Sequence, residues 1–145
     1  MDIILATKEY IDQIIEIENE CFLEPFKKEN IIYELEENAF SVFYLAVMDN
    51  KVVGFLDYWI TFDSSTICQI AVKKEHRNKG VASLLLERMF EDLKDKEVVV
   101  STLEVRTHNT NAINLYLKHG YFKEIVKPNY YTNGDDALYM IRGVN

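Results

Sequence analysis

The sequence predicts an α/β fold of the α+β type, with a mixed, mostly antiparallel sheet of seven strands and helices on both of its faces. Two observations lead to this prediction. Short β-rich apolar runs and longer segments with apolar residues at helical spacing follow one another in the order βααβββαβαββ. Four of these strands precede a long central helix and three follow it, with no repeat, low-complexity tract or linker. We therefore expect one domain over residues 1–145.

The first half of the chain is predicted to form two helices and four strands. The isoleucines after Thr7 are spaced for one broad buried helix face, and Thr7 is a suitable residue to cap that helix. Pro25 should interrupt the helical region, because proline disfavours helical backbone at the residue before it. The run Asp49-Asn50-Lys51 is typical of a hairpin turn. The predicted strands cover residues 2–6, 41–48, 52–61 and 66–72, and the helices cover 7–21 and 28–38.

The second half of the chain is predicted to begin with the central helix after Gly80. A β-branched run over residues 97–106 should form the next strand, and residues 110–119 a helix that ends at Gly120. The last two strands are predicted over 121–126 and 137–141. The apolar residues expected to face inward from the central helix are Val81, Leu84, Leu85, Met89 and Leu93.

The chain is organised around the stretch from Ile70 to Leu86, in which a strand runs through a basic loop into a helix. The loop contains Arg77 and Lys79, and Gly80 stands where the helix begins. The first amides of a helix have no intrahelical partner and carry partial positive charge, so they can bind a phosphate. The loop matches neither the dinucleotide G-x-G-x-x-G pattern nor the phosphate loop of nucleotide triphosphatases. It therefore indicates an anion site without identifying the anion.

Composition excludes several functions. A net charge of −8 argues against nucleic acid as a primary partner, since phosphates require a basic face. No segment approaches the roughly 20 apolar residues of a membrane span, and the first residues lack the basic region of a secretion signal. We therefore expect a cytoplasmic protein without a membrane partner. Cys21 and Cys68 show no metal-ligand spacing and the three histidines are scattered, so we expect reduced thiols and no metal site.

Two motifs identify a family resemblance. The run Arg77 to Ala82 matches the Arg/Gln-x-x-Gly-x-Gly/Ala loop of the GNAT superfamily of N-acetyltransferases, and Asn109 to Tyr121 resembles the next motif of that family. The element order is also that of the GNAT fold, so the resemblance covers nearly the whole chain. It implies that acetyl-CoA is the co-substrate and that the loop amides hold its pyrophosphate. The implied cofactor-binding residues are Ile70, Ala71, Val72, Arg77, Asn78, Lys79, Gly80, Val81, Ala82, Ser83, Asn109 and Tyr116.

Glu104 and Tyr116 are the candidate catalytic residues. Glu104 ends an otherwise apolar strand face, where a carboxylate is costly to bury unpaired, so it either forms an ion pair with Arg106 or takes part in chemistry. In the resembled family, the glutamate of a Leu-Glu-Val-Arg run is the general base for the acceptor amine. The tyrosine of Asn-x-x-Ala-x-x-x-Tyr, here Tyr116, is the general acid for the CoA sulfur. Taken alone, Tyr116 could equally be a half-buried aromatic residue.

The chemistry of acyl transfer suits these residue types. An amine must lose its proton before it attacks a thioester, and a carboxylate, directly or through a water, can accept that proton. Backbone N–H groups near Ala71 and Val72 are the candidate donors to the oxyanion. A covalent route through Cys68 is the alternative, but no histidine or aspartate stands at a spacing that would activate it, so we favour direct transfer.

The end of the chain bears on the acyl acceptor. Residues 127–137 resemble the Asn-Tyr-Tyr … Glu-Asp-Ala tail of N-terminal protein acetyltransferases, in particular the RimI-type ribosomal-protein alanine acetyltransferases. The resemblance implies that paired tyrosines close over the first residues of the substrate, opposite the loop between the first two helices. That loop departs from the family's Pro-Trp-Ser and reads Pro25-Phe26-Lys27. The implied substrate-binding residues are Phe22, Leu23, Glu24, Pro25, Tyr130 and Tyr131.

The resulting hypothesis is an acetyl-CoA-dependent enzyme that acetylates a free protein N-terminus, with the N-terminal alanine of a small-subunit ribosomal protein as the expected acceptor. We expect a monomer or a weak dimer. One alternative is acetylation of lysine side chains or of small amines such as polyamines. Another is a non-catalytic acyl-CoA-binding module, which would need neither Glu104 nor Tyr116.

Overall fold

The computed structural model describes residues 1–144 and contains one seven-stranded sheet. The strands are β1 (Asp2–Leu5), β2 (Ser41–Met48), β3 (Lys51–Thr61), β4 (Ser64–Val72), β5 (Val100–Arg106), β6 (Phe122–Lys127) and β7 (Ala137–Gly143). The helices are α1 (Ile11–Cys21), α2 (Lys28–Ile32, continued by a π-helical turn over Tyr33–Glu37), α3 (Val81–Asp95) and α4 (Thr110–Lys118). The strand order is β1-β2-β3-β4-β5-β7-β6, and only β4 and β5 are parallel. The predicted mixed, mostly antiparallel sheet is confirmed.

The sheet carries a hydrophobic core on each face. On one face, α1 and α2 pack against β2, β3 and β4, with Ile14, Ile17 and Ile31 fully buried against residues such as Phe55. On the other face, α3 and α4 pack across the middle of the sheet. Members of this second core include Leu56, Leu85, Met89, Leu93, Leu103, Ile113, Tyr116 and Met140.

Local turn chemistry behaves as predicted in two places. Asp49 and Asn50 adopt left-handed backbone, with φ of 51° and 63°, and form a two-residue turn between β2 and β3. Gly120 follows α4 with φ of 90°, as expected for a residue that ends a helix. Within residues 1–144, no helix is long and apolar enough to cross a membrane.

The predicted cap of the first helix is wrong. A 3₁₀ turn at Lys8–Tyr10 precedes α1, which begins at Ile11, so Thr7 stands too far from the helix to cap it. The Thr7 hydroxyl instead donates a hydrogen bond of 3.2 Å to the Glu9 carboxylate. The spacing of the isoleucines nevertheless identifies the buried face of α1 correctly.

One of the predicted core positions of α3 is also wrong. Leu84 is 41% exposed, whereas Leu86 and Phe90 are buried. At 100° per residue, all buried residues of α3 fall within one half of the helix circumference, which begins at Val81, and Leu84 lies outside that half. The helix is buried over a wider face than the predicted stripe, because it lies against several strands at once.

The parallel strands β4 and β5 are hydrogen-bonded to each other only near their first residues. Only Ser64, Ser65 and Thr66 of β4 pair with β5, opposite Val100, Ser101 and Thr102. Beyond these rungs the two strands run toward Val72 and Arg106 without further pairing. Along the same part of β4, the register with β3 shifts at Cys68, which leaves that residue without an opposite partner. The sheet therefore contains an internal gap at the carboxyl ends of its two parallel strands, the usual position of ligand sites in such sheets.

Candidate active site

The loop between β4 and α3 has the backbone of an anion site. Lys74–His76 forms a 3₁₀ turn, after which Asn78 and Gly80 both adopt left-handed backbone with φ of 62° and 83°. Gly80 directly precedes the first turn of α3, and a Cβ placed on it would meet no atom within 4 Å. Alternating backbone of this kind aims successive N–H groups into one concavity, and the helix start adds its own unpaired amides. The loop residues therefore fit a bound phosphate group.

The Arg77 guanidinium is bound within the protein, although its place in the basic loop predicts a role in binding the anion. Its guanidinium turns back to the strand, where Nε donates to the Val72 carbonyl at 3.0 Å and Nη2 lies 3.5 Å from Cys21 Sγ. Arg77 thus fixes the loop to the end of β4 and to α1. Lys79 is exposed, as is Lys74 earlier in the same loop.

A close backbone approach holds the start of α3 against the sheet. Gly54 on β3 pairs with Val72, and a Cβ at this position would lie 2.8 Å from the Ala71 carbonyl oxygen and 3.2 Å from Val81 Cγ1. Only a residue without a side chain fits there. This packing sets the distance between the end of β4 and the first residue of α3. This close approach was not predictable, because Gly54 lies within a regular strand pattern.

Two of the predicted cofactor contacts are engaged within the protein. The Asn109 side chain accepts a hydrogen bond of 3.2 Å from the Ala112 amide and so caps α4. The Ser83 hydroxyl lies 2.9 Å from His119 Nε2 and joins α3 to the end of α4. Burial lowers the pKa of His119, so this imidazole is held in its neutral form.

Glu104 does not form the ion pair with Arg106 that the sequence leaves open as an alternative. Its Oε2 accepts a hydrogen bond of 2.7 Å from Lys127 Nζ, which reaches it from the end of β6. Glu104, Tyr139 and Ile125 stand opposite one another on β5, β7 and β6, and Lys127 is two residues beyond Ile125 on the same face. The Lys127 partner was not predictable, because alternation along one strand does not show which residues of neighbouring strands share its face.

Arg106 instead connects three parts of the molecule. Its Nε donates to Asp135 Oδ2 at 2.9 Å, and its guanidinium carbon lies 3.9 Å from the centre of the Tyr131 ring. Its Nη2 lies 3.5 Å from Glu24 Oε1, which also accepts a hydrogen bond of 2.5 Å from the Thr132 hydroxyl. The loop after α1 and the loop between β6 and β7 are therefore bridged above the end of β5.

This bridge brings together the two predicted substrate walls. On the α1 side, Phe22 packs with its ring centre 6.4 Å from that of Phe55, whereas Leu23 is largely exposed. On the other side, Tyr130 and Tyr131 meet edge to face with ring centres 5.1 Å apart. Burial, and after it the neighbouring Glu104 carboxylate, raises the pKa of the Tyr130 phenol.

Tyr116 lies on the opposite face of the sheet from Glu104. It is buried in the core formed by α3 and α4, with its ring 5.8 Å from that of Tyr121. Burial raises the pKa of its phenol, so Tyr116 stays protonated at neutral pH. Glu104 points to the side of α1, as its neighbour Arg106 shows by reaching Glu24. The sheet therefore lies between these two side chains, and its strands β4 and β5 do not pair beyond Thr66.

A buried acidic cluster beneath the acceptor side is absent from the sequence predictions. Carboxylate oxygens of Glu34 and Asp57 and the Cys68 sulfur all lie within 4.8 Å of one another. Asp57 accepts a hydrogen bond of 2.7 Å from the Ser41 hydroxyl, and burial together with Glu34 raises the pKa of Asp57 to about 9. Asp57 therefore carries a proton at neutral pH. Three strands and a helix supply this cluster, so no local sequence pattern could predict it.

The pKa values of Glu18, which lies outside this cluster, and of Cys68, which belongs to it, are also raised. Glu18 accepts hydrogen bonds from the Phe26 amide at 2.9 Å and the Gln69 amide at 3.1 Å, and burial raises its pKa to about 7. Burial and the neighbouring carboxyls raise the pKa of the Cys68 thiol well above its ordinary value. A thiol in this setting is a poor nucleophile. The structure thus supports direct transfer over a route through Cys68.

Comparison with known proteins defines the class of this chain. The family described as the acetyltransferase (GNAT) family matches residues 11–121. The chain belongs to this family and is an acyltransferase.

Two relatives and one crystal structure are similar to nearly the whole chain. A Bacillus subtilis protein named as a ribosomal protein bS18-alanine N-acetyltransferase is 36% identical over 94% of this chain and 91% of its own length. An N-alpha-acetyltransferase of Saccharolobus solfataricus is 35% identical over 94% of this chain and 89% of its own. The crystal structure of the ribosomal-protein-S18-alanine N-acetyltransferase from Escherichia coli superposes with a TM-score of 0.90 at 24% identity, covering 99% of this chain and 94% of that one.

Proposed function

We propose that this protein is an acetyl-CoA-dependent Nα-acetyltransferase that transfers an acetyl group directly to the free N-terminal amine of another protein. The observation that carries the proposal is the position of Glu104, partly buried near the end of β5 and two residues from Arg106, which together with Glu24 and Thr132 bridges the two predicted substrate walls. The proposed acceptor slot lies between these walls, with the Glu104 carboxylate at its inner end. A chain end can enter such a slot, whereas an internal lysine would have to bring its flanking backbone against the bridge.

The loop before α3 and the gap in the sheet are the proposed acetyl-CoA site. The helix start and the left-handed backbone at Asn78 and Gly80 suit the pyrophosphate, and the gap between β4 and β5 is open for an extended chain. When bound, acetyl-CoA supplies the activated acetyl group. Backbone N–H groups near Ala71 and Val72, at the end of β4, are the proposed donors to the carbonyl oxygen of that group.

Glu104 and Tyr116 are the proposed base and acid. An α-amine titrates at about 7.7–8.0, so a modest base can complete its deprotonation near neutral pH. Glu104 accepts this proton, directly or through a water. Burial raises the pKa of the Tyr116 phenol, so Tyr116 is protonated at neutral pH, and it is the proposed proton donor to the departing thiolate. The two residues act from opposite faces of the sheet through the gap.

The proposed acceptor is a protein that begins with a small residue, first of all an N-terminal alanine of a small-subunit ribosomal protein. Two relatives that cover most of the chain are named for N-terminal acetylation, one of them of ribosomal protein bS18. Tyr130 and Tyr131 offer rigid aromatic area with polar tips, which can pack on a small side chain and bond to peptide backbone. The net charge of −8 attracts basic proteins such as those of the ribosome, and this acceptor would place the enzyme in the cytoplasm.

A peptide panel tests the proposal. We expect mass spectrometry to find acetyl groups on the N-terminal amine of peptides that begin with alanine, and little on the same peptides when the N-terminus is blocked and only lysines are free. Tyr131→Ala should raise KM for the peptide more than KM for acetyl-CoA, because Tyr131 supports Arg106 at the slot. Phe62→Ala, at an exposed hairpin tip at the other end of β4, is the matched control. Acetylation mainly of lysine side chains or of spermidine would refute the N-terminal assignment.

A further inference from the structure

Lys127 occupies a binding site built for an ammonium group. Its Nζ lies 2.7 Å from Glu104 Oε2, 4.7 Å from the centre of the Tyr139 ring and 5.6 Å from the centre of the Tyr130 ring. A carboxylate combined with aromatic faces is a general means of binding organic cations. These groups come from β5, β7 and the loop after β6, so the sheet itself assembles the site.

We propose that the Lys127 ammonium is a resident substitute for the acceptor amine, and that the incoming N-terminal ammonium displaces it from Glu104, Tyr130 and Tyr139. This inference rests on the proposed function and adds to it a positioning residue and the subsite of the reacting amine. Both groups carry one positive charge and three N–H donors, so either satisfies the same carboxylate. Lys127 thereby keeps Glu104 paired while no acceptor is bound.

The Lys127 side chain is able to leave. It is 40% exposed, extends from the last residue of β6, and is followed by a loop rather than by further sheet. Ion pairs with this degree of exposure contribute little to stability, so an exchange of one ammonium for another costs little. The long lysine stem can extend into solvent, where its charge is readily hydrated.

The Lys127 amine and an N-terminal α-amine differ in how readily they lose a proton, which decides whether each can attack a thioester. The hydrogen bond to Glu104 raises the pKa of Lys127 above its ordinary value, so this amine remains protonated and is a poor nucleophile. An α-amine in the same place titrates near neutral pH and can lose its proton. The site thus holds the unreactive Lys127 ammonium until the N-terminal ammonium of the acceptor, which can react, replaces it. Lys127 is on this view a competitor of the substrate and not an acyl acceptor.

Steady-state kinetics with a peptide that begins with alanine test the proposal. Lys127→Met keeps the apolar stem and removes the competing charge. KM for the peptide should therefore fall by about 3- to 10-fold while kcat changes by less than about 2-fold, because an exposed ion pair and a cation–π contact no longer compete with the substrate. Lys127→Gln should act in the same direction. Lys127→Arg retains the charge and should restore KM toward the wild-type value. Lys123→Met is the matched control, since it removes the same charge from the same strand.

The outcomes separate this inference from the proposed function. If wild-type protein acetylates the peptide but KM is unchanged or higher in both Lys127→Met and Lys127→Gln, the displacement proposal is refuted and the function stands. If wild-type protein acetylates no free N-terminus, the proposed function fails first. Intact-mass measurement after incubation with acetyl-CoA alone provides a second test, because an acetyl group on Lys127 would show that it is an acceptor and refute its role as a substitute.

Discussion

The substitution Gly54→Ala tests how the sheet positions the candidate cofactor site. The added Cβ would lie 2.8 Å from the Ala71 carbonyl oxygen, 3.2 Å from Val81 Cγ1 and 3.3 Å from Val72 Cγ2. The nearest of these atoms is backbone, which cannot rotate away, so the end of β4 or the start of α3 must move. Overpacking of this kind costs about 1–3 kcal/mol, and the lower entropy of the unfolded alanine chain offsets about 0.4–1 kcal/mol of it.

We therefore expect Gly54→Ala to lower the free energy of unfolding by about 1–2 kcal/mol, equivalent to a decrease in Tm of roughly 3–8 °C for a chain of this length. Thermal and urea unfolding measure this change. The matched control is Gly143→Ala at the end of β7, where a Cβ would meet no atom within 4 Å. That variant should be as stable as wild type or slightly more stable.

The movement of the end of β4 or the start of α3 in Gly54→Ala should also affect acetyl-CoA binding. Because Ala71, Val72 and Val81 carry the backbone groups proposed to bind acetyl-CoA, Gly54→Ala should weaken its binding by several-fold in calorimetric titration, whereas Gly143→Ala should not. Our reasoning is wrong if Gly54→Ala has the same free energy of unfolding as Gly143→Ala and binds acetyl-CoA as tightly as wild type. The close approach of β3 would then not determine the geometry of this site.

Three further predictions concern the acid and base, the loop, and the buried carboxyl groups. Glu104→Gln should lower kcat by about 10²-fold or more, with acetyl-CoA affinity little changed, since positioned proton transfer contributes about 10²–10⁴; Tyr116→Phe should also slow turnover without preventing cofactor binding. Gly80→Asp should greatly weaken acetyl-CoA binding in calorimetry while the protein stays folded, because it adds a negative charge at the proposed phosphate site. The free energy of unfolding should fall with rising pH between about 4 and 9, because folded Asp57 keeps a proton that the unfolded chain has released. Asp57→Asn removes this carboxyl group and should reduce the slope by up to about 1.4 kcal/mol per pH unit.

Each of these predictions has an outcome that contradicts it. Wild-type rates in both Glu104→Gln and Tyr116→Phe would make the two residues structural. An unchanged dissociation constant in folded Gly80→Asp would remove the phosphate assignment. An identical pH slope in Asp57→Asn and wild type would show that Asp57 is ionised in the folded protein. The rise of the Glu18 pKa to about 7 adds a slope of the same sign in both proteins, over the narrower range between its ordinary pKa and about 7.

The order of the elements and the hairpin turn were predictable because they depend on local patterns. Alternation, helical spacing and the left-handed tendency of Asp49 and Asn50 act over a few residues. The family motif likewise predicts the loop at Gly80, whose backbone fits an anion. These features need no knowledge of which strands are neighbours.

The side-chain partners in the site were not predictable, because they depend on contacts between distant segments. Glu104 pairs with Lys127, 23 residues away, and Arg106 reaches Asp135 and Glu24, 29 and 82 residues away. Hydrophobic spacing reports which face of an element is buried but not which polar groups meet across a sheet. For this reason the resemblance of residues 127–137 to a family tail does not predict the contact between Lys127 and Glu104.

The gap between β4 and β5 has a consequence for self-association. Unpaired strand edges on the outside of a protein can recruit other chains and lead to aggregation. Here two such edges, from Ile67 to Val72 and from Leu103 to Arg106, face each other within the molecule. Both strands are interior strands of the sheet, flanked by β3 and β7, so these edges do not lie on its outer rim. The part of the sheet proposed to receive acetyl-CoA is thus kept away from the positions where another copy of the chain could add a strand.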